Sequence, residues 1–138
     1  MEIYKQGEIT ILNDCYNANF DSMKAALETL ARMEGKRKIA ILGDMLELGE
    51  YSKLLHEKVG NEVVNNAIDM LITVGEEAKN IANSALENKM KNIHVFEKNE
   101  EAIEYILTIM TRGDVILVKA SNGMKFIEII QSVIDHIK

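Results

Sequence analysis

Polar residues gather in three short segments of this sequence, and each segment directly follows a run of apolar residues. The segments are residues 13–19, 43–49 and 119–123. Continuous apolar runs are typical of strands that are covered on both faces in a parallel sheet. Ligands of such sheets bind beyond the carboxyl ends of the strands, so these three segments hold the candidate functional residues.

The first segment carries groups that could bind a nucleoside. Asp14 could accept hydrogen bonds from a ribose diol, the Tyr16 ring could stack on a base, and the amides of Asn17 and Asn19 could bind an adenine edge. The same residue types are common in turns and helix caps, and on residue type alone that interpretation is favoured. Four Asn or Asp residues within residues 13–19 are nevertheless more than one helix cap needs.

The third segment could bind an anion. Lys119 follows an apolar run, and Ser121, Asn122 and Gly123 are predicted to open a helix whose first amide groups are free. The alternative, given equal weight, is that Ser121 or Asn122 caps the helix while Lys119 extends its ammonium group to solvent.

The second segment and the helix after it leave several roles open. Asp44 could orient an amine or a lysine, or it could belong to an ordinary Gly-Asp turn. Ser52 is predicted to cap the next helix. His56 borders the apolar stripe of that helix, where a single histidine is more often structural than a ligand. No set of histidine, cysteine and carboxylate residues has the spacing of a metal site, so we predict no metal bound by this chain alone.

The elements that position these segments alternate between strand and helix. Two strand-like runs around Gly7 predict a hairpin, and an apolar stripe with helical spacing follows each of the five later strands. We predict one domain over residues 1–138, an α/β doubly wound three-layer sandwich with a mostly parallel sheet and one antiparallel edge. The predicted strands are residues 1–6, 8–13, 38–43, 70–74, 93–96 and 115–118.

The composition limits the classes of binding partner and indicates the cellular compartment. The formal net charge is −6, which argues against non-specific nucleic-acid binding. No apolar stretch is long enough to span a bilayer, so no membrane partner is expected. The single cysteine, Cys15, cannot form an internal disulfide, which favours a reducing cytoplasm.

Two common nucleotide-binding signatures are absent, and the sequence fits a response-regulator receiver poorly. The sequence has no G-x-G-x-x-G after the first strand and no G-x-x-x-x-G-K-[ST] phosphate loop. Asp14, Asp44 and Lys119 are similar to the acidic pocket and lysine of a response-regulator receiver. In receivers, however, the phosphorylated aspartate ends the third parallel strand. Counted from the strand at residues 8–13, the third parallel strand here ends in Val74 and Gly75.

The three segments together resemble the Mur ligases that add D-alanyl-D-alanine. Residues 14–23, DCYNANFDSM, are similar to the motif D-x-Y-N-A-N-P-x-S-M. Residues 41–49, with His56 and the pair Val59 and Gly60, are similar to G-D-M-x-E-L-G…H-x-x-V/I-G. Residues 113–124 are similar to G-D-x-x-L-x-K-G-S-R-x-M. The order and spacing of the motifs agree over essentially the whole chain.

The resemblance implies a Rossmann-like C-terminal domain of a three-domain enzyme. In that family an N-terminal domain holds a UDP-linked sugar, and a central domain carries the phosphate loop and binds ATP and Mg2+. Both domains would be absent from this chain, which alone would be inactive. The expected reaction joins D-alanyl-D-alanine to UDP-MurNAc-tripeptide through an acyl phosphate, in the cytoplasmic synthesis of peptidoglycan precursors.

The resemblance also implies two sets of site residues, and it assigns no catalytic residue and no metal ligand to this chain. The nucleotide side would comprise Asp14, which would hold the ATP ribose, together with Tyr16, Asn17 and Asn19. The side facing the incoming dipeptide or the transferring phosphate would comprise Lys119, Ser121 and Asn122.

Three positions depart from the family pattern. Phe20 replaces a proline, which loosens the first turn of a helix, and Ala120 replaces a glycine, which restricts the loop. Asn122 stands where arginine is common, so it would bind a dipeptide carboxylate more weakly. Two alternatives remain: a stand-alone Rossmann-like or receiver-like regulatory module, and a ligase that adds another amino acid, against which the Y-N-A-N segment argues.

Overall fold

A computed structural model describes residues 1–138 as six strands and five α-helices. The strands are β1 (Glu2–Gln6), β2 (Ile9–Asn13), β3 (Arg37–Gly43), β4 (Met70–Val74), β5 (Ile93–Phe96) and β6 (Asp114–Lys119). The helices are α1 (Phe20–Arg32), α2 (Ser52–Asn65), α3 (Lys79–Glu87), α4 (Asn99–Ile109) and α5 (Ile127–Ile137). Two short 3-10 turns, Gly49–Tyr51 and Asn122–Met124, precede α2 and α5.

The sheet has the strand order β1-β2-β6-β3-β4-β5. β1 pairs antiparallel with β2 and all other neighbours are parallel, which confirms the predicted hairpin and the single antiparallel edge. The last strand in sequence, β6, lies between β2 and β3. Asn13 of β2 and Ile41 of β3 are both partners of Val118 in β6. Three strand ends that are far apart in sequence therefore lie side by side.

Helices cover both faces of this sheet, which confirms the doubly wound three-layer sandwich. α1, α2 and α3 pack on one face over a core that includes Leu27, Val63 and Ile81. α4 and α5 pack on the other face over Ile106 and Ile130. The inner strands are mostly buried on both faces, which explains their continuous apolar runs. None of the five helices combines the length and the apolar character that crossing a bilayer requires.

α1 begins at Phe20 because the residue before it caps the first turn. Asn19 Oδ1 accepts a hydrogen bond from the Ser22 N–H at 2.8 Å, and Ser22 Oγ accepts one from the Asn19 N–H at 3.0 Å. These two bonds form a capping box, so Asn19 caps α1. The helix holds the segment that follows β2 at the carboxyl edge of the sheet.

Two helix starts differ from the prediction. Ser52 does not cap α2 but is its first residue, because a 3-10 turn precedes it and its hydroxyl donates to Glu77 Oε1 at 2.6 Å. The predicted helix opening after Lys119 is also wrong. The Asn122–Met124 turn is followed by Lys125, whose left-handed conformation (φ 56°) breaks the helical path, and α5 starts only at Ile127.

Candidate functional site

Asp14 and Lys119 form an ion pair where β2 and β6 end. Lys119 Nζ lies 2.9 Å from Asp14 Oδ2. The pairing of the two strands continues past β2, because the Asp14 N–H donates to Val118 O at 3.0 Å. This bond places Asp14 directly beside Lys119, although the two residues are 105 positions apart in sequence.

The Lys119 ammonium group is buried and surrounded by oxygen atoms. The residue is 1% exposed, and Nζ donates to Asn17 O at 2.8 Å and to Asp14 O at 3.4 Å in addition to pairing with Oδ2. Three acceptors match the three hydrogens of an ammonium group. The interpretation of Lys119 as a solvent-extended side chain is therefore wrong, because the segment after β2 supplies the partners that a buried charge needs.

A cleft of ≈ 660 Å³ opens beside this ion pair. It is lined by residues of the 13–16 and 122–127 segments and by the start of the hairpin, and we call it the open cleft. Tyr16 is 85% exposed at the cleft, and the Asp14 side chain is 22% exposed. While Asp14 Oδ2 pairs with Lys119, Asp14 Oδ1 accepts no hydrogen bond from the rest of the chain. One carboxylate oxygen and one aromatic ring are thus available to a ligand.

Asn13 connects the open cleft to the hairpin. Its Nδ2 donates to Glu2 Oε1 at 3.3 Å, and its Oδ1 accepts a hydrogen bond from Cys15 Sγ at 2.9 Å. Burial raises the pKa of the Cys15 thiol, which therefore stays protonated and acts as a donor. The raised pKa argues against Cys15 as an activated nucleophile.

Ser121 joins the segments that follow β3 and β6. Its N–H donates to Asp44 O at 3.1 Å, and its Oγ accepts a hydrogen bond from the Leu46 N–H at 2.8 Å. A smaller cleft of ≈ 310 Å³ lies on this junction, and Asn17, Glu47 and Ser121 are among its lining residues. Asn122 lines both clefts and is exposed.

Asp44, directly after β3, lines neither cleft. It is 8% exposed, and its Oδ1 accepts a hydrogen bond from the Ala78 N–H at 2.7 Å, just before α3. Burial raises the pKa of Asp44, and the Ala78 N–H partly offsets this by stabilising the carboxylate. Gly75 must lack a side chain, because a Cβ there would lie 2.5 Å from Asp44 Oδ1. Asp44 therefore stabilises the start of α3.

His56 is fully buried and holds the segment after β3. The Met45 N–H donates to His56 Nε2 at 3.0 Å, so Nε2 is an acceptor and Nδ1 carries the hydrogen that Ser52 O accepts at 2.7 Å. Ser52 in turn donates to Glu77. We call Asp44, Ser52, His56 and Glu77 the closed network. Its geometry supports the structural interpretation of His56 and Asp44, and Glu77 is a member that carried no signal in the sequence.

The structure brings the predicted site residues together, but not as two separate sides. Lys119, expected on the dipeptide or phosphate side, is bound to Asp14 on the nucleotide side. Asn17 contributes its carbonyl group to Lys119, and Asn19 uses its side-chain oxygen to cap α1. The binding roles of these residues stay predictions.

A match to a protein family identifies the family of this chain. The family model for the Mur ligase glutamate ligase domain matches residues 1–122. The chain belongs to the Mur ligase family. The resemblance carried by the three motifs is confirmed, and so is the Rossmann-like fold that it implied.

Three relatives of this Mur ligase domain are longer proteins. UDP-N-acetylmuramoyl-tripeptide–D-alanyl-D-alanine ligase of Bacillus subtilis is 36% identical over 129 residues, which cover 92% of this chain and 28% of that protein. MurF ligase from Thermotoga maritima, solved in complex with ADP, has a TM-score of 0.82 at 28% identity and matches 99% of this chain and 30% of that one. MurF from Acinetobacter baumannii has a TM-score of 0.88 at 23% identity, and the match covers 97% of this chain and 30% of that one. At this identity the similarity supports the fold alone. The chain thus spans less than a third of these relatives.

Proposed function

We propose that this chain is the C-terminal domain of an ATP-dependent ligase that joins D-alanyl-D-alanine to UDP-MurNAc-tripeptide. The names of the Bacillus subtilis and Thermotoga maritima relatives support the proposal. Since the chain covers 28% and 30% of those proteins, we also propose that an N-terminal UDP-binding domain and a central phosphate-loop domain belong to the same protein. The reaction would take place in the cytoplasm, during peptidoglycan precursor synthesis.

The open cleft is the observation in this chain that carries the proposal. Asp14 Oδ1 is an unoccupied anionic acceptor, which suits a ribose diol, and the exposed ring of Tyr16 beside it suits a base. The Thermotoga maritima relative was solved with ADP, so a family member binds an adenine nucleotide. The residues of the cleft therefore fit the sugar and base of ATP.

The phosphate groups need a partner outside this chain. The sequence has no phosphate loop, and the Lys119 ammonium group is already occupied. We therefore assign the triphosphate and Mg2+ to the central domain. ATP supplies the phosphoryl group that activates the tripeptide carboxylate; the role of this chain is to orient the ribose through Asp14 and to exclude water from the activated carboxyl group.

The smaller cleft is our candidate for the dipeptide side. Ser121 is 8% exposed there, and because its Oγ accepts the Leu46 N–H, its own hydroxyl hydrogen is left to donate. The exposed amide of Asn122 lies at the boundary between the two clefts. These two residues would bind D-alanyl-D-alanine, and we assign neither a proton-transfer role.

The test is an assay of the protein encoded by the complete gene, with ATP, Mg2+, UDP-MurNAc-tripeptide and D-alanyl-D-alanine. We expect phosphate release that requires both acceptor substrates, and a ligated product in the mass spectrum. Asp14→Ala should lower kcat/KM for ATP by about 10- to 100-fold, because a hydrogen bond to a charged group is lost. Asp135→Ala is the matched control, since Asp135 is 69% exposed on α5 and should leave kcat/KM unchanged.

Two results would contradict the proposal. Phosphate release by this chain alone would reveal a phosphate site that the structure does not explain. A complete gene product without a phosphate-loop domain would instead favour the stand-alone regulatory module.

A further inference from the structure

Lys119 anchors the segment that connects β2 to α1. Residues 15–18 belong to no helix or strand, and their N–H groups make no backbone–backbone hydrogen bond. Two carbonyl groups of this connection, those of Asp14 and Asn17, accept hydrogen bonds from Lys119 Nζ instead. The ammonium group therefore does for this segment what backbone hydrogen bonds do elsewhere.

The same lysine selects which oxygen of Asp14 a ligand can reach. Oδ2 is held by Nζ at 2.9 Å, and Oδ1 is left without an intramolecular partner. Lys119 comes from β6, which is paired with β2 and β3 on its two sides, whereas Asp14 lies at the start of an irregular segment. The orientation of the carboxylate is thus imposed by the sheet.

Lys119 is poorly placed to bind a ligand itself. It is 1% exposed, and binding a phosphate or a dipeptide would require it to leave all three of its oxygen partners. Leaving would expose an unpaired carbonyl group at Asn17 and release Asp14, and both changes are unfavourable.

We propose that Lys119 is a positioning residue for the nucleotide, which acts through Asp14 and does not contact a phosphate or the dipeptide. It holds the Asp14 carboxylate and the Asn17 carbonyl so that Asp14 Oδ1 and the Tyr16 ring border the open cleft in a fixed arrangement. The inference rests on the proposed ligase function, and it reassigns Lys119 from the side on which the family resemblance placed it.

The test compares ATP with 2′-deoxy-ATP and 3′-deoxy-ATP in the complete ligase. The wild type should prefer ATP over at least one of the deoxy analogues, because Asp14 binds a ribose hydroxyl. In Lys119→Met we expect KM for ATP to rise about tenfold and kcat to change less than about threefold. The preference for ATP, expressed as the ratio of kcat/KM for ATP to that for the deoxy analogue, should fall towards one. Asp14→Asn should lose the same preference, and the double variant should lose little more, since the two residues act as one unit.

Thermal unfolding of each variant separates a local effect from a failure to fold. If Lys119→Met does not fold, Lys119→Gln, which keeps an uncharged donor, and Lys119→Arg, which keeps the charge, replace it. Lys119→Arg should retain more of the preference for ATP than Lys119→Gln, because a charged donor holds the carboxylate more strongly.

A fall in kcat with the preference for ATP intact would overturn the inference, because it would place the ammonium group on the phosphate or the dipeptide. A wild type that does not discriminate against either deoxy analogue would also overturn it. Neither result affects the proposed function, which fails only if the wild type forms no ligated product.

Discussion

The open cleft and the closed network each contain an aspartate that follows a parallel strand, but the two aspartates have opposite environments. These residues are Asp14 after β2 and Asp44 after β3. Asp14 is partly exposed and pairs with a lysine side chain that leaves one oxygen free. Asp44 is buried and its Oδ1 accepts the Ala78 N–H.

The difference shows that an aspartate at a strand end is not by itself a binding residue. What decides its role is which donors the neighbouring elements bring to it. α3 begins close to Asp44 and takes up its oxygen, whereas the segment before α1 leaves the Asp14 side of the edge open. Changes in the closed network should therefore lower stability, and changes in the open cleft should lower nucleotide affinity.

The largest effect is expected for Gly75→Ala, next to Asp44 of the closed network. The Cβ would lie 2.5 Å from Asp44 Oδ1, and the backbone φ of 115° is unfavourable for alanine. We expect a loss of about 3 kcal/mol in the free energy of unfolding, measured by urea denaturation. Gly49→Ala is the matched control: its φ is 59° with no atom within 4 Å of the Cβ, so it should cost only about 1 kcal/mol. Equal losses would contradict the crowding around Asp44.

Asp44→Ala should destabilise the chain by about 2 kcal/mol, because the buried Ala78 N–H loses its acceptor. Asp44→Asn keeps an oxygen at that position and should cost less than about 1 kcal/mol. Urea denaturation at neutral pH distinguishes the two variants. A large loss in Asp44→Asn would show that the charge, and not only the acceptor, is needed.

Tyr16→Ala tests the opposite side of the comparison. Tyr16 is 85% exposed, so the free energy of unfolding should change by less than about 0.5 kcal/mol. In the complete ligase, KM for ATP should rise about tenfold as a stacking surface is lost. Tyr51→Ala is the control, because Tyr51 is 61% exposed but precedes α2 beside the closed network. A rise in KM for both variants would remove the distinction between the two regions.

Thr73→Val should stabilise the chain by about 1 kcal/mol. Thr73 Oγ1, in β4, is buried without a hydrogen-bond partner, and valine fills the same volume without a polar atom. Thermal unfolding should show a higher midpoint for Thr73→Val, and a lower one for Thr73→Ser, which keeps the hydroxyl and loses the methyl group. A lower midpoint for Thr73→Val would indicate that the hydroxyl has an ordered partner.

The smallest expected effect is a pH dependence that comes from Asp44. Its pKa is raised by burial above the ordinary value of 3.8, so its contribution to stability is fully present below pH 3.8 and is lost as pH rises through the folded-state pKa. The free energy of unfolding of Asp44→Asn should therefore rise relative to that of the wild type as pH increases from about 4 towards 7. A difference that does not change over this range would show that Asp44 titrates normally in the fold.

Much of the fold could be predicted because its signals are local. The bounds of β4 and β5 agree with the predicted runs at 70–74 and 93–96, since a continuous apolar run next to polar residues marks a buried strand. The cap at Asn19 is likewise local, as it involves residues three positions apart. The predicted helix opening after Lys119 failed because one left-handed residue, Lys125, interrupts it, and a lysine is not a residue that signals such a conformation.

The sequence by itself determined the order of the elements, the three-layer class, the family and the three polar segments. Only the tertiary structure decided which of those segments meet. β6 is the last strand in sequence but lies between β2 and β3. Its position buries Lys119 against Asp14 and joins Ser121 to Asp44. The physical reason is that a side chain's partners, and hence its burial and charge state, come from strands paired at long range, which local residue patterns do not encode.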